Sequence, residues 1–404
     1  MPVAPRSQLP ATTPTSLSNG VPSPLATNIA SAPQRHDNSN PLWRGPCAPG
    51  PLGGVTQSML VRFLSCRERF RLRYVLGLEL PDKWNHKIGY GNMWHVCEEA
   101  LAKSGDTRLW YDLLIKYAAQ QAIRYPLQRD EIEKWFNVCA VQFPEYVKYW
   151  SEHQDVKNRT PYLQEFVFDE PYAIPSGRTV RLRGKFDSVD IIADEVTGLD
   201  SGVYLQENKT RGDIDKLQVE RQLKFDLQTM LYLVALNNLW TETRSLARIK
   251  GVRYNVVRRP LSGGVGNISP HKAKATKTKV TPAETSSEFY ERLRRDYIAA
   301  DPNYWFFRVR AEISARDIQV FRDTCLNPIL EQLCWWYNET TNQETYRDMA
   351  GSNGRYEYPP LNYRTPFGVW SALEEGGATE YDAYLESGSE AGLRRVETLF
   401  TELQ

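Results

Sequence analysis

Two charged residues stand near the end of the stretch V-Y-L-Q-E-N-K-T-R-G, which runs from Val203 to Gly212. Glu207 and Lys209 are two positions apart, so in a strand their side chains project from the same face. Leu205 shares that face, which is therefore apolar at one end and ionic at the other. A carboxylate and an ammonium group are costly to bury unless they are paired or bound to a metal. The stretch therefore indicates a functional site.

The preceding segments place a second acidic residue beside this pair. Residues 180–192, V-R-L-R-G-K-F-D-S-V-D-I-I, alternate as a strand does and include Asp187. Together with the alternating segment 161–171 and the turn-rich connection before Val203, they predict an antiparallel meander of three strands. Folding the second strand onto the third brings Asp187 near the charged end of the stretch. Glu165, in the middle of the first strand, is a candidate neighbour of the site.

Two helical segments supply further polar candidates. His95 falls within residues 86–102, which have helical periodicity, although a single helical histidine is more often a packed core residue than a ligand. A long helix follows Gly212, and its Gln228 and Tyr232 are four positions apart, so they share a face. Tyr232 alone is more often a core residue. A buried amide such as Gln228 needs a hydrogen-bond partner.

Basic residues are candidates for contacts with phosphate groups. Arg67 lies on a strongly basic helix, whose commoner interpretation is a solvated cationic face. Arg221 and Lys224 extend the face of Gln228 toward the start of its helix. Residues 261–287 are rich in Gly, Thr and Lys and predict a flexible basic loop, equally consistent with a solvated linker and with contacts to phosphates.

Composition and pattern predict one α/β core with additions. Residues 1–54 are rich in Pro, Ser and Thr and are expected to form a disordered tail. We expect the core, a mixed sheet flanked by helices, to span residues 55–260, with a helical insertion at about 108–155. A crossover helix before I-K-G-V-R-Y-N-V-V-R-R-P predicts a parallel strand pair. Residues 288–404 are expected to form a C-terminal helical extension that packs on this core.

The clustered residues suit one kind of chemistry. Two carboxylates, with oxygen atoms from water and the backbone, favour a hard divalent cation, Mg²⁺ or Mn²⁺, and a histidine ligand favours Mn²⁺. Such an ion can activate a water molecule and neutralise charge that develops on a phosphorus atom. Lys209 can stabilise that charge or orient the attacking water. These are the parts that metal-dependent phosphodiester hydrolysis requires.

The order of the motifs resembles that of the PD-(D/E)XK nuclease superfamily. R-G-K-F-D-S-V-D followed by Q-E-N-K-T resembles its bipartite acidic core, although no proline precedes Asp187 and the second half reads E-N-K. Q-T-M-L-Y, from Gln228 to Tyr232, resembles the QxxxY motif of the RecB-like branch, which includes the CRISPR-associated exonucleases. G-N-M-W-H, ending at His95, resembles that branch's metal-binding histidine motif. The resemblance runs from about Ser58 to Arg259.

The resemblance implies a restriction-endonuclease-like core and a role for each matched residue. The implied metal ligands are His95, Asp187, Glu207 and the backbone carbonyl of Asn208. Lys209 is the implied catalytic lysine beside Asp187 and Glu207, and Gln228 and Tyr232 complete the catalytic set by contacting DNA or orienting their neighbours. Arg67, Arg221 and Lys224 are candidate DNA-binding residues.

The implied activity is that of a metal-dependent DNA nuclease, an exonuclease acting on DNA ends or single strands in recombination, repair or replication. DNA is the expected partner, with a helicase, recombinase or other DNA-processing protein as a further candidate. Two alternatives remain. One is a catalytically weak subunit that binds DNA ends or supports an assembly, and the other is a structure-specific endonuclease.

The cysteines bear on the cofactor and the compartment. Several members of the branch carry a four-cysteine iron–sulfur cluster, and Cys66 matches its first ligand. No cysteine follows Cys334, where three more would be expected, so we expect no cluster. The six scattered cysteines indicate reduced thiols. With no apolar run of membrane-spanning length and no signal-peptide pattern, we expect a cytoplasmic protein that does not contact a membrane.

Overall fold

The computed structural model describes most of the chain outside its first 40 residues. The described residues are 41–104, 108–152, 159–193, 202–212, 215–223, 225–242, 248–261, 268–275, 280–341, 390 and 392–403. Within these ranges the α-helices, in chain order, are α1 (Gln57–Ser65), α2 (Arg67–Phe70), α3 (His86–Ser104), α4 (Leu109–Arg124), α5 (Arg129–Ser151), α6 (Lys216–Leu223), α7 (Leu227–Glu242), α8 (Ser286–Arg292), α9 (Pro302–Trp305), α10 (Ala315–Phe321) and α11 (Asn327–Thr341). The strands are β1 (Leu78–Glu79), β2 (Arg159–Ala173), β3 (Thr179–Ile192), β4 (Gly202–Arg211), β5 (Arg248–Arg258), β6 (Lys274–Ala275), β7 (Val280–Thr281), β8 (Phe306–Glu312) and β9 (Arg394–Arg395).

A five-stranded mixed sheet in the order β2–β3–β4–β5–β8 forms the centre of the fold. The first three strands form the predicted antiparallel meander. β5 runs parallel to β4 after a crossover through α6 and α7, so the single long helix expected after Gly212 is divided in two. Helices flank this sheet, so the predicted α/β architecture with a mixed sheet is confirmed. Its arrangement is consistent with a restriction-endonuclease-like fold.

The sheet extends further along the chain than the predicted core. β8 pairs antiparallel with β5, with Tyr254 opposite Val309. The alternation of Arg308 and Arg310 with apolar residues is typical of a strand, but the expected boundary at residue 260 assigned this segment to a helical extension. That boundary differs from the structure because β8 covers the backbone edge that β5 would otherwise expose.

Two apolar clusters pack the helices around the sheet. The larger one joins α1, α7 and α11 to the sheet and contains Met59, Leu231 and Trp336. The second lies among α3, α4 and α5, where Trp94 packs edge-on against Phe143 at 5.1 Å between ring centroids. Of these helices, α4 and α5 lie within the predicted insertion at about residues 108–155, whereas α3 precedes it. Among the described residues, no helix combines the length and apolar character that a bilayer crossing requires.

The segment before α1 is folded from residue 41, whereas the sequence predicted a disordered tail to residue 54. Trp43 has no exposed surface, and its Nε1 donates a hydrogen bond to the Gly54 carbonyl at 2.7 Å. Its ring packs edge-on against Phe70 and Tyr337, at 5.3 and 5.0 Å between centroids. One buried tryptophan supplies apolar area that the average composition of the segment conceals. Residues 1–40 lie outside the described residues.

The basic segment 261–287 contains local structure. Its β6 and β7 form an antiparallel pair in which Lys274 lies opposite Thr281. A capping box between Thr285 and Glu288 then starts α8. The predicted flexible basic loop therefore includes a short strand pair and the start of α8, while residues 262–267 and 276–279 lie outside the described residues.

Replacing Trp43 with alanine tests whether this segment is part of the core. We expect the free energy of unfolding to fall by about 3–5 kcal/mol, because a fully buried aromatic ring is lost. Urea denaturation followed by circular dichroism measures the change. Leu64→Ala, at a half-exposed position on α1, is the control and should change stability by no more than about 0.5 kcal/mol. Equal midpoints for the two variants would contradict this interpretation.

Candidate active site

The hairpin of β3 and β4 brings the two predicted carboxylates together. Val189 pairs with Leu205 in this hairpin, and the same register continued by two residues sets Asp187 beside Glu207. Asp187 Oδ2 accepts a hydrogen bond from the backbone N–H of Asn208 at 2.8 Å. The pairing deduced from alternation is therefore present in the structure.

Glu207, Lys209 and Gln228 form a closed triangle of hydrogen bonds. Lys209 Nζ donates to Glu207 Oε2 and to Gln228 Oε1, each at 3.0 Å. Gln228 Nε2 donates to the same Glu207 Oε2 at 2.9 Å. Gln228 therefore bridges the carboxylate and the ammonium group and fixes both.

The second carboxylate oxygen of Glu207 has a different environment. Glu207 is fully buried, and within the described residues its Oε1 has no hydrogen-bond partner. Burial raises the pKa of Glu207 to about 7, although the nearby Lys209 opposes this rise. A buried carboxylate oxygen without a partner is costly, and a metal ion is one of the few partners that offset the cost.

His95, Glu165 and Asp187 form a compact group next to this triangle. One potential ligand atom from each lies within 4.8 Å of the other two. His95 Nδ1 is 3.5 Å from Glu165 Oε1 and 3.8 Å from Asp187 Oδ1. Burial lowers the pKa of His95, but the two carboxylates outweigh this effect and raise it to about 9. The three side chains could therefore hold a metal ion once the imidazole has lost its proton.

Glu165, which the sequence offered only as a neighbour, contributes directly to the group. The register that pairs Gln164 with Ser188 and Phe166 with Phe186 sets Glu165 opposite Asp187. Lys185 Nζ lies 2.6 Å from its Oε2. Burial raises the pKa of Glu165, but His95 and Lys185 reverse this shift, so the pKa is lowered.

The backbone at Glu165 is strained. Its φ is +47°, in the left-handed region that residues other than glycine seldom adopt. Such a conformation costs about 1–3 kcal/mol and persists where the surrounding structure imposes it, commonly at functional sites. No motif marks an isolated acidic residue in a strand. The strand register could have assigned Glu165 to the site, whereas the strain has no signal in the sequence.

Tyr232 supports the site from α7 through packing. Its ring meets Phe168 and Phe186 edge-on, at 5.4 and 5.7 Å between centroids. A Cβ atom on Gly184 would lie 2.9 Å from the Tyr232 ring, so the glycine of R-G-K-F-D permits this approach. The Tyr232 hydroxyl interacts with the Gln228 side chain. Two roles are predicted for Tyr232, contacting DNA and orienting a neighbouring residue. These contacts favour the second role, with Gln228 as the neighbour.

The side chain of Asn208 lies on the other face of the sheet. Its Oδ1 accepts a hydrogen bond from Asn255 Nδ2 at 2.9 Å. The same Asn255 Nδ2 lies 2.6 Å from the Tyr146 hydroxyl and 3.3 Å from the Glu98 carboxylate, so its two N–H groups are shared among three acceptors. Because Glu98 is on the helix that carries His95, this contact ties that helix to the sheet. Metal binding by the Asn208 carbonyl stays a prediction.

The described residues do not test the remaining candidates. The Arg67 guanidinium lies 4.9 Å from the centre of the Phe63 ring. The side chain of Arg221 and the whole of Lys224 lie outside the described residues. DNA contacts by these three residues stay predictions. So does the expected lack of an iron–sulfur cluster, since the C-terminal segment that bears on it is also outside the described residues.

Comparison with known families agrees with this geometry. The family model described as the PD-(D/E)XK nuclease superfamily matches residues 55–319, more than half of the chain. The matched range begins just before α1, ends beyond β8, and includes every residue placed in the site above. No curated protein matches the chain.

Removing single carboxylates tests whether this group holds a metal. We expect Asp187→Ala and Glu165→Ala each to weaken Mn²⁺ binding by about 10-fold or more, because each loses an oxygen ligand. Isothermal titration calorimetry on the full chain without DNA measures the affinity. Glu312→Ala removes a carboxylate that is 80% exposed at the end of β8 and serves as the control. Identical affinities in all of these proteins would contradict the assignment.

Proposed function

Because the chain belongs to the PD-(D/E)XK nuclease superfamily, we propose that it is a divalent-metal-dependent deoxyribonuclease that acts as an exonuclease on DNA ends or single strands. The observation that carries this proposal is the buried Glu207, whose Oε1 has no hydrogen-bond partner within the described residues. It stands beside the group formed by His95, Glu165 and Asp187. This arrangement provides ligands for a cation next to a lysine.

The donor set fits Mg²⁺ or Mn²⁺. His95, Glu165, Asp187 and Glu207 would hold the ion, with three carboxylates and one imidazole nitrogen as the donors. Carboxylate oxygens suit both ions, and the imidazole nitrogen favours Mn²⁺. When bound, such an ion acts as a Lewis acid toward the phosphate and lowers the pKa of a bound water molecule.

Lys209 is held where it can act on the phosphate. An ammonium group has three N–H donors, and the contacts with Glu207 and Gln228 use two of them. The third donor can meet a phosphate oxygen and stabilise the negative charge that develops in the transition state. Gln228 keeps Lys209 from swinging toward solvent, because its own amide is fixed on Glu207.

The exonuclease assignment is supported by the resemblance of Q-T-M-L-Y to the QxxxY motif of the RecB-like branch. The contacts of Gln228 with Lys209 and Glu207 give this motif a physical role in the site. We further propose that Arg67, Arg221 and Lys224 contact the DNA backbone. Cooperation with a helicase or recombinase in DNA repair, recombination or replication is part of the same proposal.

Alanine at position 187 or 209 tests the chemistry. We expect Asp187→Ala and Lys209→Ala to reduce cleavage of end-labelled single- and double-stranded DNA by about 100-fold or more, because each removes a group that stabilises the transition state. Cleavage is measured in Mg²⁺ and in Mn²⁺. Lys103→Ala, which removes an exposed lysine paired with Glu99, should retain wild-type activity. Unchanged cleavage in both site variants would refute the proposal, as would DNA binding without cleavage by the wild type.

The form of the DNA tests the exonuclease assignment separately. We expect linear DNA to be degraded and covalently closed circles of the same sequence to stay intact, because an exonuclease requires an end. Gel electrophoresis of the two forms, incubated in parallel with metal, measures the difference. Circles linearised at one site are the matched control, and Lys209→Ala reports any contaminating nuclease. Cutting of intact circles would favour the endonuclease alternative.

A further inference from the structure

We propose that Asp226, Thr229 and Tyr254 form a clamp that positions Lys209 and Gln228 for the reaction. This role rests on the proposed function, because the three residues would affect the reaction only through Lys209 and Gln228. The three side chains join the start of α7 to the middle of β5, and β5 lies next to the strand that carries Glu207.

Tyr254 lies beside the reactive pair. It is the direct partner of Glu207 in the parallel ladder between β4 and β5. Lys209 Nζ lies 5.9 Å from the centre of the Tyr254 ring, within the range of a cation–π contact. The tyrosine is 7% exposed, so its ring is held in place by its surroundings and packs beside the lysine side chain.

The hydroxyl of Tyr254 is one end of a short chain of hydrogen bonds. It lies 2.6 Å from Thr229 Oγ1, which donates to Asp226 Oδ2 at 2.8 Å. Tyr254 also approaches Asp226 Oδ2 at 3.2 Å. Each hydroxyl carries one proton, and the shortest contacts favour donation from Tyr254 to Thr229 and from Thr229 to Asp226. Hydrogen bonds are therefore donated in one direction, from Tyr254 toward Asp226, and Thr229 between them is fully buried.

Asp226 also sets the first turn of α7. Its Oδ2 accepts a hydrogen bond from the backbone N–H of Thr229 at 2.9 Å, the geometry of a helix N-cap. Its carbonyl accepts from the N–H of Met230 at 3.0 Å. Gln228 lies within this turn, so any rotation of the turn would move its amide away from Glu207 and Lys209.

One network thus fixes both partners of Glu207. Tyr254 limits the position of Lys209, and Asp226 with Thr229 limits the position of Gln228. None of the three hydroxyl or carboxylate groups has to touch DNA for this effect. They are positioning residues, and a misplacement of Lys209 by about 1 Å is enough to cost up to about 100-fold in rate.

The test uses substitutions that remove one hydrogen bond with little change in shape. Thr229→Val and Tyr254→Phe delete one hydroxyl each, while Thr229→Ser keeps the hydroxyl and serves as the matched rescue variant. We expect the first two to lower kcat on end-labelled single-stranded DNA in Mg²⁺ by about 10-fold, with KM changed less than about 2-fold. Thr229→Ser should stay near wild type.

A double-mutant cycle separates positioning from a general loss of stability. If Thr229 acts through Gln228, adding Thr229→Val to Gln228→Ala should lower kcat no further, because the group that it positions is already absent. A purely structural role would instead add the same fold-loss in both backgrounds. Unchanged kcat in folded Thr229→Val and Tyr254→Phe, or full additivity in the cycle, would overturn the clamp.

Hydrogen–deuterium exchange of the full chain keeps this test separate from that of the proposed function. Thr229→Val should speed exchange of the amides of residues 227–230 relative to Thr229→Ser, because the first turn of α7 loses its tie to β5. An inactive wild type would refute the proposed nuclease while this comparison still decides on the clamp. Equal exchange in the valine and serine variants would overturn it.

Discussion

A carboxylate without solvent exposure, as at Glu207, has to be balanced by its surroundings, because removing an ion from water costs several kcal/mol. Lys209 and Gln228 meet this requirement at one oxygen atom, and each comes from a different element. Lys209 is brought by the strand itself, two residues on, and Gln228 by the first turn of the crossover helix. The turn that starts this helix and the register of the strand are therefore fixed by the same buried charge.

Alternation along β4 assigns chemistry to one face of the sheet and anchoring to the other. Glu207 and Lys209 point to the site, while Gln206 and Asn208 point to the helical insertion. Gln206 Oε1 accepts from Arg253, which also pairs with the fully buried Asp190 at 3.0 Å. This second polar layer, continued by Asn208, holds the insertion against the sheet. Asn255 also contacts Glu98, so the helix that carries His95 is held from the face opposite the candidate site.

Local pattern was sufficient where adjacent elements decide the structure. Alternation and the turn after residue 192 predicted that Asp187 lies beside Glu207, and the crossover predicted the parallel strand. Contacts between distant segments carried no such signal. Trp43 folds a segment whose average composition predicts disorder, and β8 joins the sheet from within a largely helical region. The hydroxyl of Tyr254 meets Thr229 only because β5 and α7 pack together.

The carboxylates of the site are balanced by positively charged neighbours. Glu165 lies between His95 and Lys185, and Glu207 is paired with Lys209, so each carboxylate already faces positive charge. The imidazole must lose its proton to become a metal ligand, so ion binding would release a proton at this position. The proton on His95 and a bound ion would therefore compete for the same place among the carboxylates. The strained backbone of Glu165 and the bridged amide of Gln228 hold those carboxylates in place for either occupant.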